Sequence, residues 1–387
     1  MSVLDSLALT RIPAEDEALR AEVRAFLAQA ISGLPPHVRA RSWGGYSAEL
    51  SRQLGEKGWI GVTLPREYGG GGRSAFTRYV LVEEYLACGA PVGSHWIADR
   101  QSGPLILKYG TEAQKRFYLP RICRGEAFFC IGMSEPGAGS DLQGVRTRAE
   151  LRDGRYRING SKTFITNGLL AGLILVVCKT DPAQGARGTS ILIVETRDCA
   201  GFRVGRVLDK MGMKAQDTSE LFFDDVTVPQ DALLGGREGQ GFYQLMGDLP
   251  YERLIIGLAA LACMEGAYEA TLAYVRERRA FGQAIADMQN TRFKLAEVAT
   301  TLTVGRAFID RCVEQLVAGT LDTATASMAK LWGSEAQGRV LDELVQLHGG
   351  YGYMNEYMVT RMYADARVQR IYGGTSEIMK EVISRVL

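Results

Sequence analysis

The run from Gly247 to Met264, GDLPYERLIIGLAALACM, sets a carboxylate and a guanidinium directly against an unbroken apolar stretch. At helical spacing Glu252 shares a stripe with Ile255, Ile256, Ala259 and Cys263, so its carboxyl faces a poorly solvated surface. Burial of that kind disfavours the charged form and raises a carboxyl pKa. A plainer reading stands beside it: an acid at a helix start, near the positive end of the dipole and paired with Arg253 or an outside lysine. A second chemical stretch is FFCIGMSEPGAGSDLQGVRTRAE, residues 128–150. Its small turn-forming residues and hydroxyls suit a chain that brings backbone N–H groups close to an anionic or polar ligand. A glycine-rich turn alone is weak support for any one ligand.

Other chemistries have little to draw on. The three histidines, His37, His95 and His348, lie far apart, which argues against a zinc site or a histidine-based triad and leaves each as a structural or surface residue. The seven cysteines are scattered singly, without CxxC spacing, as expected in a reducing compartment, and the cytoplasm is the simplest address. Forty-five basic against 44 acidic residues leave a formal charge of +1 with no long block of one sign, so neither nucleic acid nor a membrane surface is an expected partner. The N-terminus carries acids early and fits neither a secretory signal nor a transit peptide, and the apolar runs stay short of a membrane span.

The elements that must position these residues fall into three blocks. Residues 1–124 read as helical, with apolar residues three and four apart in AEDEALRAEVRAFLAQAI, SAELSRQLGEKGWIGV and RYVLVEEYLACG. Residues 125–235 switch to short β-rich runs, RYRING, LILVVCKT, TSILIVET, FRVGRVL and ELFFDDVTV, separated by turn residues. Residues 236–387 return to four long helical patterns, which predict an antiparallel four-helix bundle. The fold class is α+β: N-terminal helices, a middle β domain and a C-terminal bundle, in a chain long enough to bury a large core.

After the segment at 128–150 come INGSKTFITNG, MGMKAQDTSELFFDDVTVPQDALLG, RRAFGQAIADMQ, QLHGGYGYMNEY and IYGGTSEIM, in this order across the three blocks. Together they resemble the acyl-CoA dehydrogenase family over essentially the whole chain. The resemblance implies a flavoenzyme, holding FAD between β domain and bundle, that removes hydrogen from the α and β carbons of an acyl-CoA thioester. It implies electron transfer to an electron-transferring flavoprotein and assembly as a homotetramer. By this similarity Ile131, Met133 and Ser134 meet the flavin edge, Phe164 packs on the ring and Thr166 reaches N5. Arg278, Phe281, Gln289, Gln346, Gly349, Gly350, Thr375, Ser376 and Glu377 match the family's contacts to the FAD pyrophosphate and adenosine, several of them across a subunit boundary. Ser140 matches a contact to the CoA arm, and Tyr243 a substrate contact.

One departure bears on the opening residue. Many members carry the catalytic carboxylate in a Tyr-Glu-Gly-Thr sequence, and here the chain reads Tyr372-Gly373-Gly374-Thr375. The long-chain and isovaleryl branches carry it instead in a segment like Leu-Pro-x-Glu-Arg-Leu, which Leu249 to Leu254 fits, so the resemblance makes Glu252 the base. It makes the backbone N–H at Gly373 a donor to the thioester carbonyl, and places Arg253 beside the base or along the substrate channel. Glycines at 373 and 374 remove bulk there, which favours a long or branched acyl chain. Alternatives are an acyl group on a carrier protein and a flavin-binding relative without dehydrogenase activity.

Overall fold

A computed structural model describes residues 12–34 and 45–387, and His37 lies outside the described residues. Among the described residues the N-terminal block holds six α-helices: α1 (Ala14–Ala30), α2 (Ala48–Glu56), α3 (Ala75–Cys88), α4 (Gly93–Ile97), α5 (Gly103–Tyr109) and α6 (Glu112–Cys123). In α1, Leu19, Val23 and Leu27 form one buried stripe, while Glu15, Asp16 and Glu17 occupy the first turn, where the dipole favours acids. Helix α3 is buried on nearly all faces and ends where Gly89 turns left-handed. A capping box between Thr111 and Gln114 opens α6. Between α4 and α5 the chain makes a π-helical turn, Ala98–Ser102.

The middle block is a seven-stranded sheet of β1 (Phe129–Gly132), β2 (Arg148–Arg152), β3 (Arg155–Thr166), β4 (Leu173–Lys179), β5 (Thr189–Glu195), β6 (Phe202–Val207) and β7 (Thr218–Pro229). Its order is β1-β4-β2-β3-β7-β6, with β5 paired to β4. The apolar run LILVVCK is buried along its whole length as β4, between parallel β1 and antiparallel β5. Strands β1 and β2 lie inside the glycine-rich stretch, whose turns masked them in the sequence. Strand β3 pairs antiparallel with β7 in a register broken between Lys162 and Ile165.

The C-terminal block contains α7 (Gly241–Glu277), a small hairpin of β8 (Arg279–Ala280) and β9 (Gln283–Ala284), α8 (Gln289–Val317), α9 (Thr323–His348), α10 (Met358–Ala366) and α11 (Ser376–Ser384). Three helices are long, of 37, 29 and 26 residues, and the C-terminal segment supplies short ones instead of a fourth long helix. Helix α7 starts well before the expected point, because it runs through Pro250 without ending. In the turn that the ring disturbs, Lys108 Nζ donates to the Gly247 carbonyl at 3.2 Å. The helix is therefore long and apolar enough to cross a membrane by length and composition, contrary to the expectation of short runs, yet most of its apolar stretch is buried inside the protein.

One apolar core joins the N-terminal helices, one side of the sheet and the bundle, and a second fills the β domain. Polar ties fasten the blocks. Gln114 Nε2 donates to the carbonyls of Asp231 and Leu233 at 2.8 and 2.9 Å. Arg306 on α8 bridges Glu83 of α3 and Glu265 of α7, and Tyr79 of α3 hydrogen-bonds Asp310 of α8.

Candidate active site

Glu252 sits about three turns inside α7, so it is not a helix-start acid. Its immediate neighbours along the stripe, Ile255, Ala259 and Cys263, are buried. Burial is the largest influence on its carboxyl and raises it to about 7. A hydrogen-bonding interaction with Gln101 and the charges of Arg100 and Arg253 pull the other way, and Asp248 adds to the rise. Arg253 is buried too, but its Nη1 donates to Ser327 Oγ of α9 at 2.9 Å. The pairing of Glu252 with Arg253 is thus not made, and among the described residues Glu252 has no ion-pair partner.

The loop Tyr372–Thr375 packs against the same face of α7. Gly373 and Gly374 adopt left-handed φ values of 63° and 91°. A Cβ at Gly373 would lie 2.6 Å from Ile256 Cδ1, one turn along from Glu252, and one at Gly374 would lie 2.6 Å from Met379 Cε. The atoms nearest such a Cβ are the ends of the flexible Ile256 and Met379 side chains. What glycine provides is the left-handed turn and the close approach of backbone to the helix. The Gly373 N–H makes no backbone hydrogen bond among the described residues. Behind the loop, the buried Lys330 of α9 donates to the Gly374 carbonyl, and burial lowers its ammonium to about 8.

The β-domain residues gather at one edge of the sheet. Thr163 N–H donates to the Ser134 carbonyl at 2.9 Å and Lys162 Nζ to the Met133 carbonyl at 3.2 Å, which sets Ile131, Met133 and Ser134 beside the end of β3 that carries Phe164 and Thr166. Phe164 lies in the register break, with φ of 58°, and is 70% exposed. A large side chain held out in a backbone region it disfavours marks a surface built to be covered.

Arg278, Gln346, Gly349 and Gly350 line a cleft of about 560 Å³ together with Tyr274 and His348, whose rings stack at 4.2 Å. A Cβ at Gly349 or Gly350 would meet nothing within 4 Å, and His348 Nδ1 is buried without a partner. An open cleft with an arginine and an unused ring nitrogen fits an anionic or polar group, and the exposed Phe164 edge fits a flat ring. Other expected contacts do not join these groups. Phe281, at the tip of the β8–β9 hairpin, is 94% exposed, and Gln289 and Ser140 are also on the surface. Thr375 caps α11 by accepting from Ile378 N–H, Ser376 Oγ donates to Glu335 at 2.8 Å, and Glu377 is exposed. Tyr243 is exposed, with its ring edge toward Tyr109.

Sequence reasoning missed the groups that face Glu252 from the N-terminal block. They are Arg100 and Gln101 in the π-helical turn, with Arg78 of α3 and Asp99 beside Arg100. The signal was present in SHWIADRQSG, where a charged pair interrupts a stretch otherwise able to be core.

A carboxylate raised toward neutrality on α7, a β edge with an outward aromatic ring and an open cleft lined by Arg278 and two glycines are set in a protein of three domains. Family models agree with the architecture: the acyl-CoA dehydrogenase N-terminal, middle and C-terminal domains match residues 13–126, 130–226 and 239–387. The chain is 45% identical to the long-chain specific acyl-CoA dehydrogenase, mitochondrial, of Rattus norvegicus, over 99% of this chain and 89% of the relative. It superposes with a TM-score of 0.89 on an acyl-CoA dehydrogenase from Geobacillus kaustophilus, 41% identical, covering 97% of this chain and 98% of the other. A chain from a structure of the electron transferring flavoprotein of Acidaminococcus fermentans matches with a TM-score of 0.88 and 34% identity over 97% and 98%. The chain belongs to the acyl-CoA dehydrogenase family.

Proposed function

We propose that the protein is an FAD-dependent oxidoreductase that converts an acyl-CoA thioester to its 2-enoyl-CoA, with Glu252 as the base. The observation that carries this is the unpaired Glu252 carboxyl, raised to about 7 by burial, on the helix face met by the Gly373 backbone. An α-proton of a thioester is weakly acidic, so the site has to supply a base of matched pKa and stabilise charge on the carbonyl oxygen. Glu252 receives the proton. The free Gly373 N–H is the donor proposed for the carbonyl, and Lys330, by holding the Gly374 carbonyl two peptides further on, fastens the loop that carries it. FAD, when bound, supplies the two-electron acceptor for the β hydrogen. The Ile131–Ser134 edge, Phe164 and Thr166 would hold its ring, and Arg278, Gln346, Gly349 and Gly350 its other end.

Assignment of the acyl chain to the long- or branched-chain class follows the branch whose base lies on this helix and the name of the rat relative. The neighbour from the electron transferring flavoprotein structure supports a flavoprotein as electron acceptor. The exposed Phe281 hairpin supports a homotetramer, in which a second copy would cover it. Reduction of bound flavin by acyl-CoA in a single turnover tests the assignment. Glu252→Gln should keep flavin and substrate binding and slow bleaching by at least about 10²-fold, the low end for a positioned general base. Near-normal bleaching would leave Glu252 a structural acid.

A further inference from the structure

The surroundings of Glu252 are more polar and more cationic than a hydrocarbon tail requires. Among the described residues, Arg78 Nε, Arg100 Nε and Nη1, Ser102 Oγ, Asp248 Oδ2 and Arg253 Nε are buried side-chain atoms with no hydrogen-bond partner. All belong to α3, the π-helical turn, or the stretch of α7 that carries Glu252. Except for the Asp248 oxygen, which accepts, these atoms are donors, and a buried donor without an acceptor costs free energy comparable to its desolvation, so a cluster of them calls for a ligand that supplies acceptors.

Arg100 stands out within the cluster. It is 4% exposed, and its guanidinium lies over the Trp96 ring at 3.8 Å. Stacking fixes the plane of the fork and leaves its edge for a planar acceptor. The carboxylate next to it in sequence cannot serve. Asp99 Oδ1 accepts from Gly61 N–H at 2.7 Å and from Arg78 Nη2 at 3.3 Å. Arg78 Nη1 donates to the Tyr251 hydroxyl at 2.5 Å, and Asp248 pairs with Lys108 at 3.4 Å. With those pairs removed, Arg100 and Arg253 face a single carboxylate, Glu252, with the buried Lys330 in electrostatic reach of Arg253. The local balance is one positive charge in excess before Lys330 is counted. Arg100 forms no ion pair with Glu252, so the base is left free and the guanidinium remains without a counter-ion. Burial lowers Arg100 to about 10, the mark of a cation held without compensation. The π-turn serves this arrangement by aiming consecutive side chains at one place: Gln101 interacts with Glu252, and Arg100 lies beside it.

We infer that Arg100 is a specificity residue that receives a carboxylate carried on the acyl chain, so that the preferred substrate is a carboxylated acyl-CoA thioester in place of one with a purely hydrocarbon tail. The inference rests on Glu252 marking the acyl site. A carboxylate matches the fork bidentately, supplies acceptors to Nε and Nη1, and neutralises the excess charge while leaving Glu252 to take the α-proton. An uncharged tail would leave the guanidinium buried and unsatisfied.

The test compares holoenzyme on butyryl-, valeryl- and hexanoyl-CoA with succinyl-, glutaryl- and adipyl-CoA, by flavin reduction. In parallel, calorimetric titration of the same thioesters into Glu252→Gln holoenzyme gives affinity without chemistry. Carboxylated members should be favoured in kcat/KM and in Kd by roughly 10- to 100-fold over the plain thioester of equal chain length, the range for a charged hydrogen bond. Arg100→Met, which keeps the stem over Trp96, should collapse that ratio, and Arg100→Lys should restore part of it. Equal affinity for the two series in the parent protein overturns the inference whatever Arg100→Met does, and so does a preference that survives Arg100→Met. Absence of flavin reduction by every thioester, with palmitoyl-CoA and isovaleryl-CoA added to the series, counts against the dehydrogenase reading, while the titration still decides the role of Arg100.

Discussion

Replacing Glu252 by Gln should make the protein more stable at neutral pH while disabling it. The carboxyl moves from an ordinary 4.5 to about 7 on folding, mainly through burial. The folded protein therefore holds that proton more tightly than the unfolded chain. The charging penalty is nearly absent below pH 4.5, grows as pH rises toward 7 and is complete above it. At about 1.4 kcal/mol per tenfold change, it comes to about 1 kcal/mol at pH 5 and about 3 kcal/mol at pH 8. A glutamine side chain at this position has the same shape, can still interact with Gln101, and carries no charge to bury. Thermal unfolding of parent and variant holoenzyme between pH 5 and pH 8 reads the effect directly. The variant should melt several degrees higher at pH 8, with the gap narrowing toward pH 5. A gap that is constant with pH, or a variant less stable at pH 8, would refute the claim that an uncompensated carboxylate is buried there.

Three further outcomes follow from the same geometry. In the parent enzyme kcat/KM should rise with pH to a plateau with its midpoint near 7, because only the ionised Glu252 accepts a proton; a flat profile from pH 5.5 to 8.5 would point to another base. Gly373→Ala should cost about 1–3 kcal/mol of stability and lower kcat more than it raises KM, since a side chain there is strained at φ of 63° and drives into Ile256; an active, equally stable variant would show that the loop has slack. Arg278→Ala should weaken FAD binding by roughly 10- to 100-fold, as for loss of a charged hydrogen bond, read from the flavin-to-protein absorbance ratio after gel filtration; unchanged flavin content would remove Arg278 from the cofactor site.

Three blocks and their order were legible because the hydrophobic period changes from helical to alternating and back, and period is the signal that tertiary packing leaves intact. Strands β1 and β2 were hidden for the opposite reason: Phe129–Gly132 and Arg148–Arg152 flank a turn so rich in glycine and serine that local propensity argues for loop, and only pairing with β4 and β3 makes them strands. Pro250 concealed the start of α7, since a proline ordinarily ends a helix and this helix runs through it. Glu252 could be picked out by its apolar stripe, but its freedom from Arg253 could not, because the competing partner Ser327 is 74 residues away in the chain. At 373 and 374 the sequence showed the loss of side chains but not the left-handed turn they allow, because φ of 63° and 91° is set where the loop packs on α7 and α11.

Helix α7 carries a second glutamate that burial also raises, and the contrast between the two explains why only one is available for chemistry. Glu265 is held by Arg306, whose Nε donates to its Oε1 at 3.2 Å, and the same guanidinium reaches Glu83 and lies 3.5 Å from Asp310. Removing Arg306 would leave those acids buried together, so the network fastens α3, α7 and α8 and cannot release a proton site without loosening the joint. Glu252 has Arg100 and Arg253 nearby and pairs with neither. A base that is ion-paired in the resting protein has its lone pairs occupied, as Glu265 does, and a base fully exposed would sit near 4.5, too weak to draw an α-proton. The site keeps cations close enough to favour the charged form when it is needed and far enough to leave the oxygens free. The cost is a half-buried charge without a counter-ion, and the structure places that cost at the turn of α7 approached by the Gly373 loop on one side and by Arg100 and Gln101 of the π-helical turn on another.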